Sequence, residues 1–274
     1  MSVPKGLLID LDGVIYEDDS PIAGAAGALE WIRSRHIPHV FLTNTTSVPR
    51  RALREKLAHA GIPIERDEQI VTPARAAMSW LRRNPRAPVA LFVPHEVRED
   101  FAHLELIAED AHAGAAAVVF GDLGEGWTFA ALNRALRLLL ADPQSVLIAL
   151  GTTRFWLARD GLRLDVGPFV AAMESATGRE ALVLGKPAPM FFDLALTELG
   201  CSAAEAMMIG DDLLTDIGGA QRIGARGMLV RTGKFRVVGL SSSATVRPDV
   251  LLDSIAQLPA WWSDSLSRHR ERIE

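Results

Sequence analysis

Apolar residues come in short runs along this chain, and the runs alternate between two periods. Leu7, Leu8 and Ile9 form a run too short for a helix, bounded by Gly6 and Asp10. Such a run predicts a buried strand of a parallel sheet, where both faces are covered. From residue 24 to 35 the spacing becomes helical, with Ala28, Leu29 and Ile32 on one side. Val40, Phe41 and Leu42 predict a second strand. A helix then opens near Pro49, keeps Leu53, Leu57 and Ala60 on its inner face, and stops at Gly61. The order strand-helix-strand-helix is the start of a doubly wound α/β fold.

The alternation continues. Thr72-Pro73 opens a helix with Ala76, Ala77, Trp80 and Leu81 at helical spacing, and Arg83-Asn-Pro-Arg-Ala-Pro88 breaks it. Strands are predicted over 89–93, 115–120 and 145–150, and helices over 129–140 and 168–177. A hairpin over 155–164 turns at Asp160-Gly161. Further strands follow at 181–184, 206–209, 228–230 and 249–252. Helices are predicted over 190–199, after Gly210 to about Gly224, and through Trp262. Trp261 and Trp262 read as helix packing; a contact in a homodimer is the rarer reading.

Composition narrows the classes. The chain has 274 residues, 49% of them apolar, with a net charge of −5. That is enough apolar surface for a substantial core. A nucleic-acid binder would carry a basic face, so no nucleic-acid partner is expected. The basic cluster at Arg268, Arg270 and Arg272 reads as a solvated helix end. The single cysteine, Cys201, permits no internal disulfide and reads as a small buried filler, consistent with a reducing compartment. No apolar run reaches the roughly 20 residues of a membrane span, and no signal peptide is recognisable, so a cytoplasmic protein without a membrane partner is expected. His95, His103 and His112 lack metal-ligand spacing.

Candidate chemistry collects at four strand ends. Asp10 and Asp12 follow the first strand, Thr43 and Asn44 the second, Lys186 the strand at 181–184, and Asp211, Asp212 and Asp216 the strand at 206–209. Each fragment alone is an ordinary polar turn. In a parallel sheet, however, the C-terminal ends of the strands lie along one edge, where ligands bind. Asp10, Asp12, Asp211 and Asp216 cannot all ionise side by side without a cation. Oxygen ligands of this kind suit Mg²⁺, the usual partner of phosphate substrates. Lys186, the Thr43 hydroxyl and turn N–H groups would complete an anion site. Spacing alone allows a metal pair of Asp216 with either Asp211 or Asp212.

Asp-Leu-Asp-Gly-Val at 10–14, Thr-Asn at 43–44, Lys-Pro at 186–187 and Gly-Asp-Asp-x-x-x-Asp at 210–216 resemble the four motifs of the haloacid dehalogenase superfamily, with the spacing of its aspartate-nucleophile phosphatases. The resemblance covers the whole chain. It implies a Rossmann-like core over residues 1–73 and 182–274, and an inserted α/β cap over 74–181 like that of the NagD-like branch. It assigns Asp10 as nucleophile and Asp12 as acid and base, with the Asp12 main-chain carbonyl on Mg²⁺. Thr43, Asn44 and Lys186 would hold the phosphoryl group. The pattern favours Asp211 over Asp212 as metal ligand, and puts Asp216 in the shell behind it.

Stretches at 161–169, 218–221 and 231–235 resemble one subgroup of that branch. They add phosphoamides and pyrophosphate to phosphomonoesters as candidate small substrates. The cap segment Gly151-Thr-Thr-Arg-Phe-Trp156 lacks the Asn-Pro-Asp-like stretch of many such caps. Arg154, Phe155 and Trp156 are therefore candidates for leaving-group contact, although Phe155 and Trp156 could equally pack the hairpin. Rival readings are a phosphotransferase that passes the phosphoryl group to a second hydroxyl, and a receiver-like phospho-acceptor module.

Overall fold

A computed structural model describes residues 3–18, 20–158, 161–235 and 245–270. In chain order the first elements are β1 (Gly6–Asp10), a short hairpin of β2 (Tyr16–Glu17) and β3 (Ser20–Pro21), α1 (Ala25–Ser34), β4 (His39–Leu42), α2 (Arg50–His59) and β5 (Ile70–Val71). Next come α3 (Pro73–Arg83), β6 (Val89–Phe92), β7 (Ala117–Phe120), α4 (Phe129–Ala141), β8 (Val146–Ala149), β9 (Phe155–Ala158), β10 (Gly161–Leu164), α5 (Gly167–Thr177) and β11 (Leu182–Val183). The chain continues with α6 (Pro189–Leu199), β12 (Ala206–Gly210), α7 (Gly218–Arg222), β13 (Arg226–Val230), β14 (Val250–Leu252) and α8 (Leu258–Arg270). No helix among the described residues is long and apolar enough to cross a membrane.

The described residues divide into two compact units. One comprises Met1–Thr43, Arg54–Val71 and Lys186–Glu274; the other comprises Asn44–Leu53 and Thr72–Gly185. The second unit thus starts two residues earlier than the expected 74, runs to Gly185, and takes in ten residues after Thr43. Those ten are tied to it by hydrogen bonds. The Asp122 N–H donates to Thr46 Oγ1 at 2.9 Å, and the Arg50 N–H donates to Asp100 at 3.1 Å.

The first unit is built on a six-stranded parallel sheet in the order β14-β13-β12-β1-β4-β5. Leu7, Leu8 and Ile9 are wholly buried at its centre, as an apolar run covered on both faces requires. Trp262 of α8 meets Trp31 of α1 edge to face at 5.7 Å, so it packs helix on helix. Three details differ from expectation. The β2–β3 hairpin and β5 were not foreseen, because two-residue strands carry no readable period. Cys201 is half-buried rather than buried. The helix expected after Gly210 begins as one wide π turn, Leu213–Ile217, before α7.

The second unit has its own four-stranded parallel sheet, β11-β8-β7-β6. Phe92, Phe120, Leu138, Leu139, Val170 and Met173 form its core. Trp127 stacks on Phe169 at 4.8 Å and on Phe92 at 5.9 Å. His95, His103 and His112 are exposed. β9 and β10 pair antiparallel as the predicted hairpin, while the Asp160 turn position lies outside the described residues.

Candidate active site

The C-terminal ends of β1 and β12, neighbours at the centre of the sheet, hold the candidate residues. After β1 the chain folds into a tight turn. The Ile15 N–H donates to the Leu11 carbonyl at 2.8 Å, and the Gly13 N–H to the Tyr16 carbonyl at 2.7 Å. Gly13 sits at φ +80°, a conformation that L side chains rarely adopt. Asp10 is buried. Its Oδ1 accepts the Leu11 N–H at 2.8 Å and lies 2.7 Å from Lys186 Nζ. Asp12, next but one, is exposed, and Thr43 Oγ1 donates to its Oδ2 at 3.4 Å. Thr43 is itself fixed by its N–H, which donates to the Val71 carbonyl at the end of β5.

Lys186 bridges two carboxylates, with Nζ 2.7 Å from Asp10 Oδ1 and 2.7 Å from Asp216 Oδ1. Asp10, Asp211 and Asp216 each bring one oxygen to within 4.8 Å of the others. All three acids and Lys186 are at most 5% exposed. Three buried carboxylates thus face one buried ammonium. Burial, followed by the neighbouring carboxylates Asp10 and Asp216, pushes Asp211 up to about 8. Burial, with the Asp10 charge next, raises Asp216 to about 7 despite Lys186. Asp10 is raised as well, again mainly by burial, with Lys186 working against the shift. Lys186 moves upward, because Asp10 and Asp216 together outweigh the burial that opposes its charge.

The structure separates the adjacent acids. Asp211 points into the cluster: its Oδ2 accepts the Lys234 N–H at 2.7 Å, and its Oδ1 is buried with no hydrogen-bond partner among the described residues. A buried acceptor left unpaired is costly, so such an atom marks a place for a ligand. Asp212 instead caps the π turn, its Oδ1 accepting from the N–H groups of Leu214 and Thr215 at 2.9 and 3.0 Å. Its Oδ2 lies 3.3 Å from Lys234 Nζ. Glycines admit the carboxylates. A Cβ at Gly13 or at Gly233 would lie 2.0 Å from Asp211 Oδ2, and one at Gly210 would lie 2.3 Å from Asp216 Oδ2.

Of the residues singled out in the sequence, Asp10, Asp12, Thr43, Lys186, Asp211 and Asp216 meet at this end of the sheet in the first unit. Asn44, Arg154, Phe155 and Trp156 belong to the second. The register pairs Phe155 with Leu164 and Trp156 with Arg163, placing Phe155 and Trp156 on opposite faces of the hairpin. Both are exposed, as are Leu162 and Leu164, at 42–69%. Neither side chain is packed away. The Arg154 guanidinium lies 5.7 Å from the centre of the Phe155 ring. Sequence reasoning passed over Lys234, Gly233 and Glu17. Lys234 and Gly233 act through their main chain, which residue type does not reveal; the resemblance at 231–235 was the one available signal.

Comparison with known proteins identifies the family. The family model described as "Haloacid dehalogenase-like hydrolase" matches residues 7–107, and that described as "HAD-hyrolase-like" matches residues 183–258. The chain belongs to the haloacid dehalogenase-like hydrolases, in their NagD-like branch. Among its relatives, the phospholysine phosphohistidine inorganic pyrophosphate phosphatase of Bos taurus is 36% identical over 272 residues, covering 98% of this chain and 96% of the relative. The solved p-nitrophenyl phosphatase of Archaeoglobus fulgidus superposes with a TM-score of 0.86 at 27% identity, over 94% of this chain and 99% of its own. NagD from E. coli K-12 superposes with a TM-score of 0.80 at 25% identity, over 94% and 98%.

Proposed function

We propose that this chain is a Mg²⁺-dependent phosphatase that releases phosphate from a small phosphorylated compound through a phosphoryl group carried on Asp10. One observation carries the reading: among the described residues, three buried carboxylates gather around one buried ammonium, and Asp211 Oδ1 is left without a partner. Such a set is short of positive charge, and a hard divalent cation with oxygen ligands supplies it. Asp10, the Asp12 carbonyl and Asp211 would hold the ion, with Asp216 beside them. When bound, it would offset the charge of the phosphoryl oxygens.

The residues divide the work. Asp10 Oδ1 is occupied by the Leu11 N–H and Lys186, which leaves Oδ2 to attack phosphorus. The Oδ2–P bond forms as the P–O bond to the leaving group breaks, and the Asp12 carboxyl gives its proton to the departing oxygen. Asp12 then takes a proton from water as that water attacks phosphorus and the Oδ2–P bond breaks. Splitting one displacement into two lowers each barrier, and an acid-base carboxylate is worth about 10²–10⁴-fold. Thr43, Asn44 and Lys186 bind the phosphoryl oxygens. Phosphoryl transfer gains most from such positioning and charge. Phosphoamides and pyrophosphate join phosphomonoesters as candidates on the strength of the Bos taurus relative's name. The residues 72–185 would act as the cap that selects among them.

The test is phosphate release from a panel of phosphorylated metabolites, phosphohistidine and pyrophosphate, with and without chelator. Asp10→Asn should lower turnover by roughly 10⁴-fold or more, with an unchanged circular dichroism spectrum. Activity that survives either Asp10→Asn or chelation would refute the mechanism. Phosphate appearing on an acceptor instead of free in solution would reassign the chain as a phosphotransferase.

A further inference from the structure

Among the described residues, Asp211 is gripped at one oxygen only. The grip is the Lys234 N–H on Oδ2, at 2.7 Å, and the other oxygen is left unpartnered. That N–H belongs to the loop after β13, so the direction of the carboxylate depends on what fixes the loop. Among the described residues, two hydrogen bonds hold it at Thr232 and Gly233, one from the turn after β1 and one from β2. The Gly233 N–H donates to Glu17 Oε1 at 2.8 Å, and the Thr232 hydroxyl donates to the Gly13 carbonyl. Glu17 lies in β2, whose pairing with β3 holds its backbone in place.

The described residues of the loop offer little anchoring of their own at this point. Gly233 has φ +54°, and a Cβ there would strike Asp211 Oδ2 at 2.0 Å, so the position closest to the carboxylate must lack a side chain. The Lys234 side chain reaches Asp212 at 3.3 Å but is more than half exposed, which makes it a weak tether. A carboxylate accepting a main-chain N–H is a stronger one. We propose that Glu17 is a positioning residue for the cation site: by holding Gly233 it seats the Lys234 N–H on Asp211 Oδ2 and so leaves Oδ1 free to face the ion. This rests on the metal reading above. Groups that orient a metal-binding side chain without touching the metal commonly change affinity by 10–100-fold, and the Thr232 bond, which survives loss of Glu17, places the effect at the lower end.

The experiment is titration calorimetry of Mg²⁺ into the full-length chain, beside thermal melts in chelator. Glu17→Ala should weaken Mg²⁺ binding about tenfold while the metal-free melt stays close to that of the unaltered chain. Glu17→Gln, which keeps the acceptor oxygen and loses the charge, should bind nearly normally. Glu17→Asp, one methylene too short to reach Gly233, should resemble Ala. Normal Mg²⁺ affinity in Glu17→Ala and Glu17→Asp would overturn the proposal. Equal loss in Gln and Ala would also overturn it, since charge and not the hydrogen bond would then be responsible. If Glu17→Ala does not fold, the contrast of Gln with Asp decides. Failure of the unaltered chain to bind Mg²⁺ would instead remove the metal reading, and this proposal with it.

Discussion

The strand ends of the first unit and the β9–β10 hairpin of the second both present charged side chains, and they hold them by opposite means. At the strand ends, Asp10, Asp211, Asp216 and Lys186 are buried, and main-chain N–H groups of Leu11, Lys234 and Asp212 fix the three carboxylates. In the hairpin, Arg154, Phe155 and Trp156 are exposed, and the Arg154 guanidinium lies only loosely over its neighbour's ring, 5.7 Å from its centre. A two-stranded hairpin has little stability of its own. Chemistry that depends on half-ångström placement suits the first region, and recognition of varied leaving groups suits the second. Substitutions should therefore act on fold and turnover in one place, and on preference in the other.

The sharpest way to break that contrast is to remove the buried ammonium that bridges Asp10 and Asp216. Lys186→Met leaves Asp10 and Asp216 buried without their partner, and should destabilise the metal-free protein by about 3–5 kcal/mol. Added Mg²⁺ should recover part of the loss in denaturant titrations. A variant as stable as the unaltered chain would show that the cluster is not under electrostatic load.

A milder probe is pH. Asp211 and Asp216 stand at about 8 and about 7 in the folded protein, and at about 4 in an unfolded chain. Between these limits the folded state holds more protons than the unfolded one. Metal-free stability should therefore be full near pH 4 and fall as pH rises towards 8, contrary to the usual behaviour of paired acids. Mg²⁺ should flatten the slope. Stability that rises with pH in chelator would contradict the burial argument.

The smallest effect is expected in the hairpin. Arg154→Ala should leave stability within about 0.5 kcal/mol. It should change kcat/KM for substrates with bulky leaving groups relative to a small aryl phosphate by up to about tenfold. An equal change on both substrates would remove Arg154 from selection and erase the distinction between the two regions.

Legibility in the sequence followed the same division. The apolar run at Leu7, Leu8 and Ile9 announced β1, and recurrence of polar residues at strand ends announced the site, because parallel sheets gather their C-terminal ends. Spacing could not separate Asp211 from Asp212: both follow the same strand, and only the cap that Asp212 makes with the Leu214 and Thr215 N–H groups turns one away. Glu17 and Lys234 were invisible because they act across 216 residues of chain or through the backbone. The exposure of Phe155 and Trp156 was unreadable for another reason. An unbroken apolar stretch does not say which face, if either, is covered.

Gly13, Gly210 and Gly233 leave the carboxylates space that a single methyl group would fill, the closest distances being 2.0 to 2.3 Å. The site is in this respect a mould, defined as much by matter withheld as by functional groups supplied. Truncating a side chain removes one function. Adding one carbon at any of these three positions would evict a carboxylate oxygen while leaving every catalytic group chemically intact. Harm to this centre can therefore come from substitutions that look conservative on paper, glycine to alanine, at positions with no functional group of their own.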